Sequence, residues 1–234
     1  LPGFLHRYLA GIGAVLFPQF CAACGNTLFY HEQVLCLKCL AGLPRTRFHS
    51  EPENELARLF WGRVPVRNAS AFIYFNEGSH YQHILHEIKY NGHKQAAFEL
   101  GKLFGSELRG TAFENIDLIH PVPLHPKKHR ERGYNQSELI AKGIAAAMCK
   151  PVETMLIARL VDTESQTRKS RYERWENVKG IFTVRKPEKL VNCHILMVDD
   201  VITTGSTLEA CILPLLNLPG ISISIASLAY VKLQ

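Results

Sequence analysis

The chain has 234 residues, 47% of them apolar and 21% charged, with a formal net charge of +6. That balance supports a real core and excludes a wholly disordered chain. The length fits one medium domain with a small module, and no apolar run reaches the ~20 residues of a membrane-spanning helix.

Residues 1–17 mix apolar side chains with His6 and Arg7, and no small-residue cleavage site precedes the first cysteines. They read as a short amphipathic helix packed on the body, not as a secretory signal. Two cysteine pairs follow, Cys21 with Cys24 and Cys36 with Cys39, separated by eleven residues. Two short knuckles joined by a hairpin-sized spacer bring four thiolates to the corners of one tetrahedron, as a structural Zn2+ requires. Disulfides would need an oxidising compartment, and a redox pair normally stands alone beside a βαβ unit. So small a module buries too little apolar surface to fold alone, and metal binding supplies the missing stability. Phe29 and Tyr30, between the pairs, are expected to pack this hairpin, with base stacking as the alternative. Cys149, Cys193 and Cys211 stand among apolar neighbours and read as small buried hydrophobes.

Residues 46–68 begin polar and proline-bearing and read as a linker between a module over 1–45 and a body over 69–234, with Leu56 to Trp61 as one or two helical turns against that body. In that body the patterns predict a strand at 69–75, helices at 79–90 and 94–109, a strand at 116–122, a helix at 136–148 and a strand at 221–231. His80, His83 and His86 are spaced by three, drift around the helix and do not converge on a metal. Strands alternating with helices predict an α/β fold with a largely parallel sheet.

Two short segments carry the positive excess. A proline-stiffened loop after the 116–122 strand holds Lys127, Lys128, Arg130 and Arg132 against Glu131. Residues 166–180 hold Arg168, Lys169, Arg171, Arg174 and Lys179 against Glu173 and Glu176, with no apolar period. The second segment reads as a mobile lid in which Arg168 and Arg171 reach over a diphosphate, since the guanidinium fork matches phosphate oxygens. Nucleic acid would want the same sign of charge.

The most informative stretch is 195–208. Ile195, Leu196, Met197 and Val198 form an apolar run suited to a buried parallel strand, with Asp199 and Asp200 at its carboxyl end, where open α/β sheets place ligands. Thr203, Thr204, Gly205, Ser206 and Thr207 then offer successive N–H groups and four hydroxyls at a helix start, an arrangement that holds a phosphate without a basic residue. With ordinary carboxylate pKa values near 4, both aspartates are expected to be ionised at neutral pH. No Gly-x-x-x-x-Gly-Lys-Ser/Thr motif occurs, which argues against a P-loop nucleotidase.

Six pieces occur together: the two cysteine pairs, Ile88-Lys89-Tyr90-Asn91-Gly92, Pro121-Val122-Pro123-Leu124-His125, Arg132-Gly133-Tyr134-Asn135-Gln136, the 166–180 segment, and Val198-Asp199-Asp200-Val201-Ile202-Thr203-Thr204-Gly205. The set resembles the ComF family (ComFC/GntX-like) of type I phosphoribosyltransferase-like proteins, over almost the whole chain. The resemblance implies the type I phosphoribosyltransferase fold, a mostly parallel sheet with helices on both faces, plus an N-terminal four-cysteine zinc module. It implies a cytoplasmic protein linked to natural competence and DNA uptake or processing, acting on phosphoribosyl pyrophosphate (PRPP) with Mg2+. Carried onto this sequence, the catalytic residues are Asp199, Asp200 and Arg168. The PRPP contacts are Lys89, Val201, Thr203, Thr204, Gly205, Ser206, Thr207 and Arg171, and the metal ligands are Cys21, Cys24, Cys36 and Cys39. The aspartates take the ribose 2′- and 3′-hydroxyls and the loop takes the 5′-phosphate. The acceptor is left open. So are two other functions on the same fold, a PRPP- or nucleotide-sensing module and a single-stranded-DNA-binding adaptor with competence partners.

Overall fold

A computed structural model describes residues 19–75, 78, 81–90, 92–161 and 180–232. The expected N-terminal helix, His80, and the lid arginines Arg168 and Arg171 lie outside the described residues.

In chain order the helices are α1 (Leu37–Ala41), α2 (Glu55–Arg58), α3 (Tyr81–Tyr90), α4 (Lys94–Leu108), α5 (Pro126–Arg132), α6 (Gln136–Met148) and α7 (Ser206–Ile212). The strands are β1 (Ala69–Phe75), β2 (Leu118–Pro121), β3 (Ile157–Arg159), β4 (Phe182–Val184), β5 (His194–Ile202) and β6 (Ser222–Val231). Four of them form a parallel sheet in the order β1-β6-β5-β2. β3 and β4 form a separate antiparallel pair. This is the mixed α/β fold with a parallel sheet that the alternation predicts.

Both faces of the sheet are covered, which is why β5 and β6 are almost continuously apolar. Leu196 and Val198 of β5 pack with α4 and α6 on one face, while Ile195 and Met197 pack with α7 and the β3–β4 pair on the other. The α4–α6 contact is close because glycines line it. A Cβ at Gly143 would run into the Phe98 carbonyl, and one at Gly105 would lie 2.7 Å from the Ile144 carbonyl. The two backbones therefore lie against each other with no side chain between them.

Three expectations are corrected. The segment read as a linker is packed into the body beyond the expected turns of Leu56 to Trp61: Phe48 and Val64 are buried with Leu56 and Phe60 in one cluster with β1 and α7. Its start is tied down by the Asn54 side chain, which caps α2 by accepting from the Ala57 N–H at 2.9 Å and donates to the Ala69 carbonyl at 2.8 Å. The proline-stiffened loop contains α5, because Pro126 sits in the first turn, where its missing N–H costs nothing, and Gly133 closes the helix. Of the three outlying cysteines only Cys211 is buried; Cys149 is exposed and Cys193 half-buried.

The four-cysteine module is fused to the body. Cys21, Ala22, Val34 and Leu43 share a core cluster with Ile84 and Ala96, and the Tyr81 hydroxyl donates to the Cys39 carbonyl at 3.2 Å. Among the described residues no helix is long and apolar enough to cross a membrane.

Candidate functional site

The sheet divides at the carboxyl ends of β2 and β5. From β2 the chain runs through α6 to residues 151–153, which lie parallel to β2 on its outer side through an Ile119–Val152 bridge. From β5 it runs the other way, through α7 to β6. Helices leaving two adjacent strands in opposite directions open a crevice, the place where ligands bind in parallel α/β sheets.

β2 pairs with β5 only as far as Val198, so Asp199 is the first residue past the paired segment. It is followed by Asp200, and the strand continues to Ile202 against β6. The two carboxylates are not equivalent. Asp199 is buried; its Oδ1 accepts from the Ser137 hydroxyl at 3.1 Å and from the Asp200 N–H at 2.9 Å. Burial, and then the neighbouring Asp200 charge, push its pKa up to about 7, against the opposing pull of those hydrogen bonds and of Lys89. The expectation of two fully ionised carboxylates is thus corrected for Asp199. Asp200 is less enclosed: its Oδ1 accepts from the Val201 N–H at 2.7 Å, and its Oδ2 lies 3.2 Å from Lys89 Nζ at the end of α3.

The loop over residues 203–207 comes next. Among the described residues, no backbone acceptor is found for any of its five N–H groups. Its carbonyl edge is held instead: Arg63 Nη1 donates to the Thr204 carbonyl at 2.7 Å, and Gly205 accepts from the Glu209 N–H at 2.9 Å. Gly205 has φ +73°, and a Cβ there would sit 2.9 Å from the Phe60 ring. The turn thus needs glycine both for its left-handed backbone and for its contact with Phe60. The hydroxyls of Thr204 and Ser206 lie 3.0 Å apart at the helix start.

The crevice therefore brings together Lys89, Asp199, Asp200, Val201 and the five loop residues, all expected from sequence. It also holds residues that sequence reasoning missed. Ser137 reaches Asp199 from the first turn of α6, where Asn135 caps the helix by accepting from the Ser137 N–H at 3.1 Å and fixes the crossing from β2 by donating to the Val122 carbonyl at 3.0 Å. Ser137 directly follows the 132–136 motif, a signal that was available. Arg63 and Glu209 had none, since nothing in the pattern links residues so far apart.

At the front of the chain Cys21, Cys24, Cys36 and Cys39 converge, with all four sulfurs within 4.8 Å of one another. Cys24 Sγ and Cys36 Sγ are 3.8 Å apart. Zn–S bonds of about 2.3 Å place tetrahedral sulfurs about 3.8 Å apart, so the spacing fits zinc. The chemistry of the set agrees. Burial raises the Cys21 thiol, but the backbone N–H groups around it prevail and hold it at about 7. Burial and the neighbouring sulfurs push Cys39 far above the usual thiol range. Four thiolates this close need a cation. Phe29 and Tyr30 do not pack the hairpin as expected; they are 79% and 65% exposed. Glu32 accounts for this, because its carboxylate closes the turn through the Phe29 N–H at 2.7 Å and the Leu37 N–H at 2.6 Å, without help from the rings.

Fold and site together describe an α/β protein with a crevice at its sheet division and a four-cysteine cluster that could hold a metal ion. No protein-family model matches the chain. Over 128 residues it is 32% identical to the DNA utilization protein YhgH of Salmonella typhimurium, covering 53% of this chain and 56% of that one. It is 33% identical to Competence protein F of Haemophilus influenzae over 94 residues, 40% of this chain and 41% of that one. It is 32% identical to Competence protein ComFC of Bacillus subtilis over 92 residues, 39% of this chain and 35% of that one. The chain is a homologue of these competence and DNA-utilization proteins, as its motifs indicate, and the matches span 56%, 41% and 35% of their lengths. Among solved structures, a Bacillus subtilis glutamine PRPP amidotransferase complexed with ADP and GMP matches at 19% identity and a TM-score of 0.41, over 57% of this chain and 26% of that one.

Proposed function

We propose that the crevice binds PRPP with Mg2+ and that the protein is a cytoplasmic phosphoribosyltransferase-like protein serving competence and DNA uptake or processing. One observation carries the reading: a half-enclosed carboxylate, Asp200, and five backbone N–H groups with no backbone acceptor among the described residues follow one another along a single strand and turn. Together they match a ribose phosphate, which has hydroxyls on one edge and an anion on its tail.

In this reading Asp200 meets the ribose hydroxyls and residues 203–207 take the 5′-phosphate. Lys89 leaves Asp200 for the diphosphate, which Arg168 and Arg171 also engage. The residues fit Mg2+, which commonly takes one or two carboxylates plus phosphate oxygens, and Asp200 is the carboxylate that would hold it. Bound there, the ion would neutralise charge on the departing diphosphate. In phosphoribosyl transfer the C1′–O bond to diphosphate breaks through an oxocarbenium-like ribose, and C1′ bonds to the acceptor. That chemistry asks the protein for alignment and charge stabilisation, not for a nucleophile. Asp199, buried and bonded to the Ser137 hydroxyl and the Asp200 N–H, fixes the backbone that carries Asp200. The zinc module supplies stability.

Calorimetric titration of Mg2+ and PRPP onto the full chain tests binding, and no heat of association overturns it. Pyrophosphate release with a panel of nucleobases separates a transferase from a PRPP-sensing module.

A second reading, a single-stranded-DNA adaptor, is favoured by two exposed features. Phe29 and Tyr30 offer ring faces for bases, and α5 is a cationic helix with no buried residue. Oligonucleotide binding that weakens with salt and is lost in the Phe29→Ala/Tyr30→Ala variant supports it.

A further inference from the structure

The residues around Arg63 belong to the segment that separates the cysteine module from β1. Arg63 makes contacts in three directions. Nη1 donates to the Leu59 carbonyl at 3.1 Å and to the Thr204 carbonyl at 2.7 Å, while Nε donates to Glu209 Oε2 at 3.1 Å and Nη2 also reaches that oxygen. Phe60 lies beneath the guanidinium, 5.9 Å from its ring centre, and the same ring abuts Gly205. One side chain therefore joins the pre-β1 segment, the 203–207 turn and the α7 helix.

We infer that Arg63, clamped by Glu209, is a positioning residue that holds the 203–207 turn with its carbonyl edge turned inward and its N–H edge open to a phosphate monoester. This rests on the ribose-phosphate reading of the crevice. The physical reasons are two. A peptide unit whose C=O is held by a fixed cation has its N–H directed the other way, so gripping the Thr204 carbonyl orients the amide that follows it. Glu209 would also be a carboxylate close to a site meant for an anion, and the guanidinium cancels its charge.

The two reasons separate in a double-mutant cycle read by ribose 5-phosphate titration in Mg2+-free buffer. Arg63→Ala is expected to weaken binding roughly tenfold or more, the size that loss of charge-assisted hydrogen bonds gives. Glu209→Gln alone is expected to stay within about threefold of wild type, since Arg63 still grips Thr204. Arg63→Ala/Glu209→Gln is expected to recover part of the loss, because the unpaired carboxylate is gone. Arg63→Lys should recover less than half, having no fork to span Thr204 and Glu209 at once. A double variant no better than Arg63→Ala, or an Arg63→Ala protein that binds like wild type, would overturn the proposal.

A measurement without ligand keeps the test apart from the ribose-phosphate reading. Backbone order parameters for residues 203–207 should fall in Arg63→Ala and remain at wild-type values in Glu209→Gln. If wild type binds no ribose phosphate yet these values fall, the ligand reading fails and the clamp stands. If they do not move, the clamp itself is wrong.

Discussion

Lys89 Nζ, at the end of α3, stands 3.2 Å from Asp200 Oδ2, at the end of β5. The pair fills the spot where the proposed ligand brings hydroxyls and a cation, so binding must exchange one set of charge partners for another. Asp200→Asn removes the group that both partners use. We expect it to weaken Mg2+–PRPP binding by at least about tenfold, in line with the 1.5–3 kcal/mol of hydrogen bonds to charged groups. Its far-ultraviolet circular dichroism should be unchanged. Unaltered affinity in a calorimetric titration would remove Asp200 from the site.

Asp199 gives a stability prediction. Its folded pKa, near 7, lies above its unfolded value, so its favourable contribution is complete below about pH 4 and is lost as pH rises through 7. At pH 8 the buried charge is a burden. Asn keeps an oxygen for Ser137 and the Asp200 N–H without that charge. Asp199→Asn in metal-free buffer should therefore raise the melting temperature at pH 8 and do little at pH 4.5. A gain equal at both pH values would mean that charge is not the cause.

His120 responds in the opposite direction. It is fully buried on β2, its Nε2 accepts from the Ile157 N–H at 3.2 Å, and burial lowers its pKa to about 4. A neutral buried histidine stabilises the fold above pH 6.5, and this is lost as pH falls from 6.5 toward 4, by about 3 kcal/mol at most. His120→Gln should flatten that acid limb in denaturant titrations across this range. An unchanged limb would assign the acid sensitivity to other groups.

The four cysteines predict one bound zinc per chain by elemental analysis. Cys36→Ser should lower zinc content and loosen the module, detected as faster proteolysis between residues 19 and 45, while the sheet core keeps its hydrogen-exchange protection. A metal-free protein with an equally resistant module would show that packing alone holds it.

Much of this was readable from the chain. The strand at 69–75 and the helix at 136–148 match their expected bounds, because both carry long, unambiguous patterns. α5 was hidden because Pro126 reads as a breaker although it opens the helix. β3 and β4 have three residues each, too few for periodicity. Equal roles for Asp199 and Asp200 are what the family resemblance implies, with both acids placed at the carboxyl end of the apolar run. The strand runs on to Ile202, and in a continuing strand consecutive side chains point opposite ways, so one acid goes inward. The bond from Arg63 to Thr204 joins two distant segments and follows no local rule, so only three-dimensional packing reveals it.

The glycine seam between α4 and α6 makes the crevice answerable to a distant position. Ser137 sits at the head of the helix that Gly143 presses onto α4, so any bulk at Gly143 must push the whole rod, and its leading hydroxyl with it. A Gly143→Val lesion, far along the helix from Ser137, would then reach the hydrogen bond that Asp199 accepts.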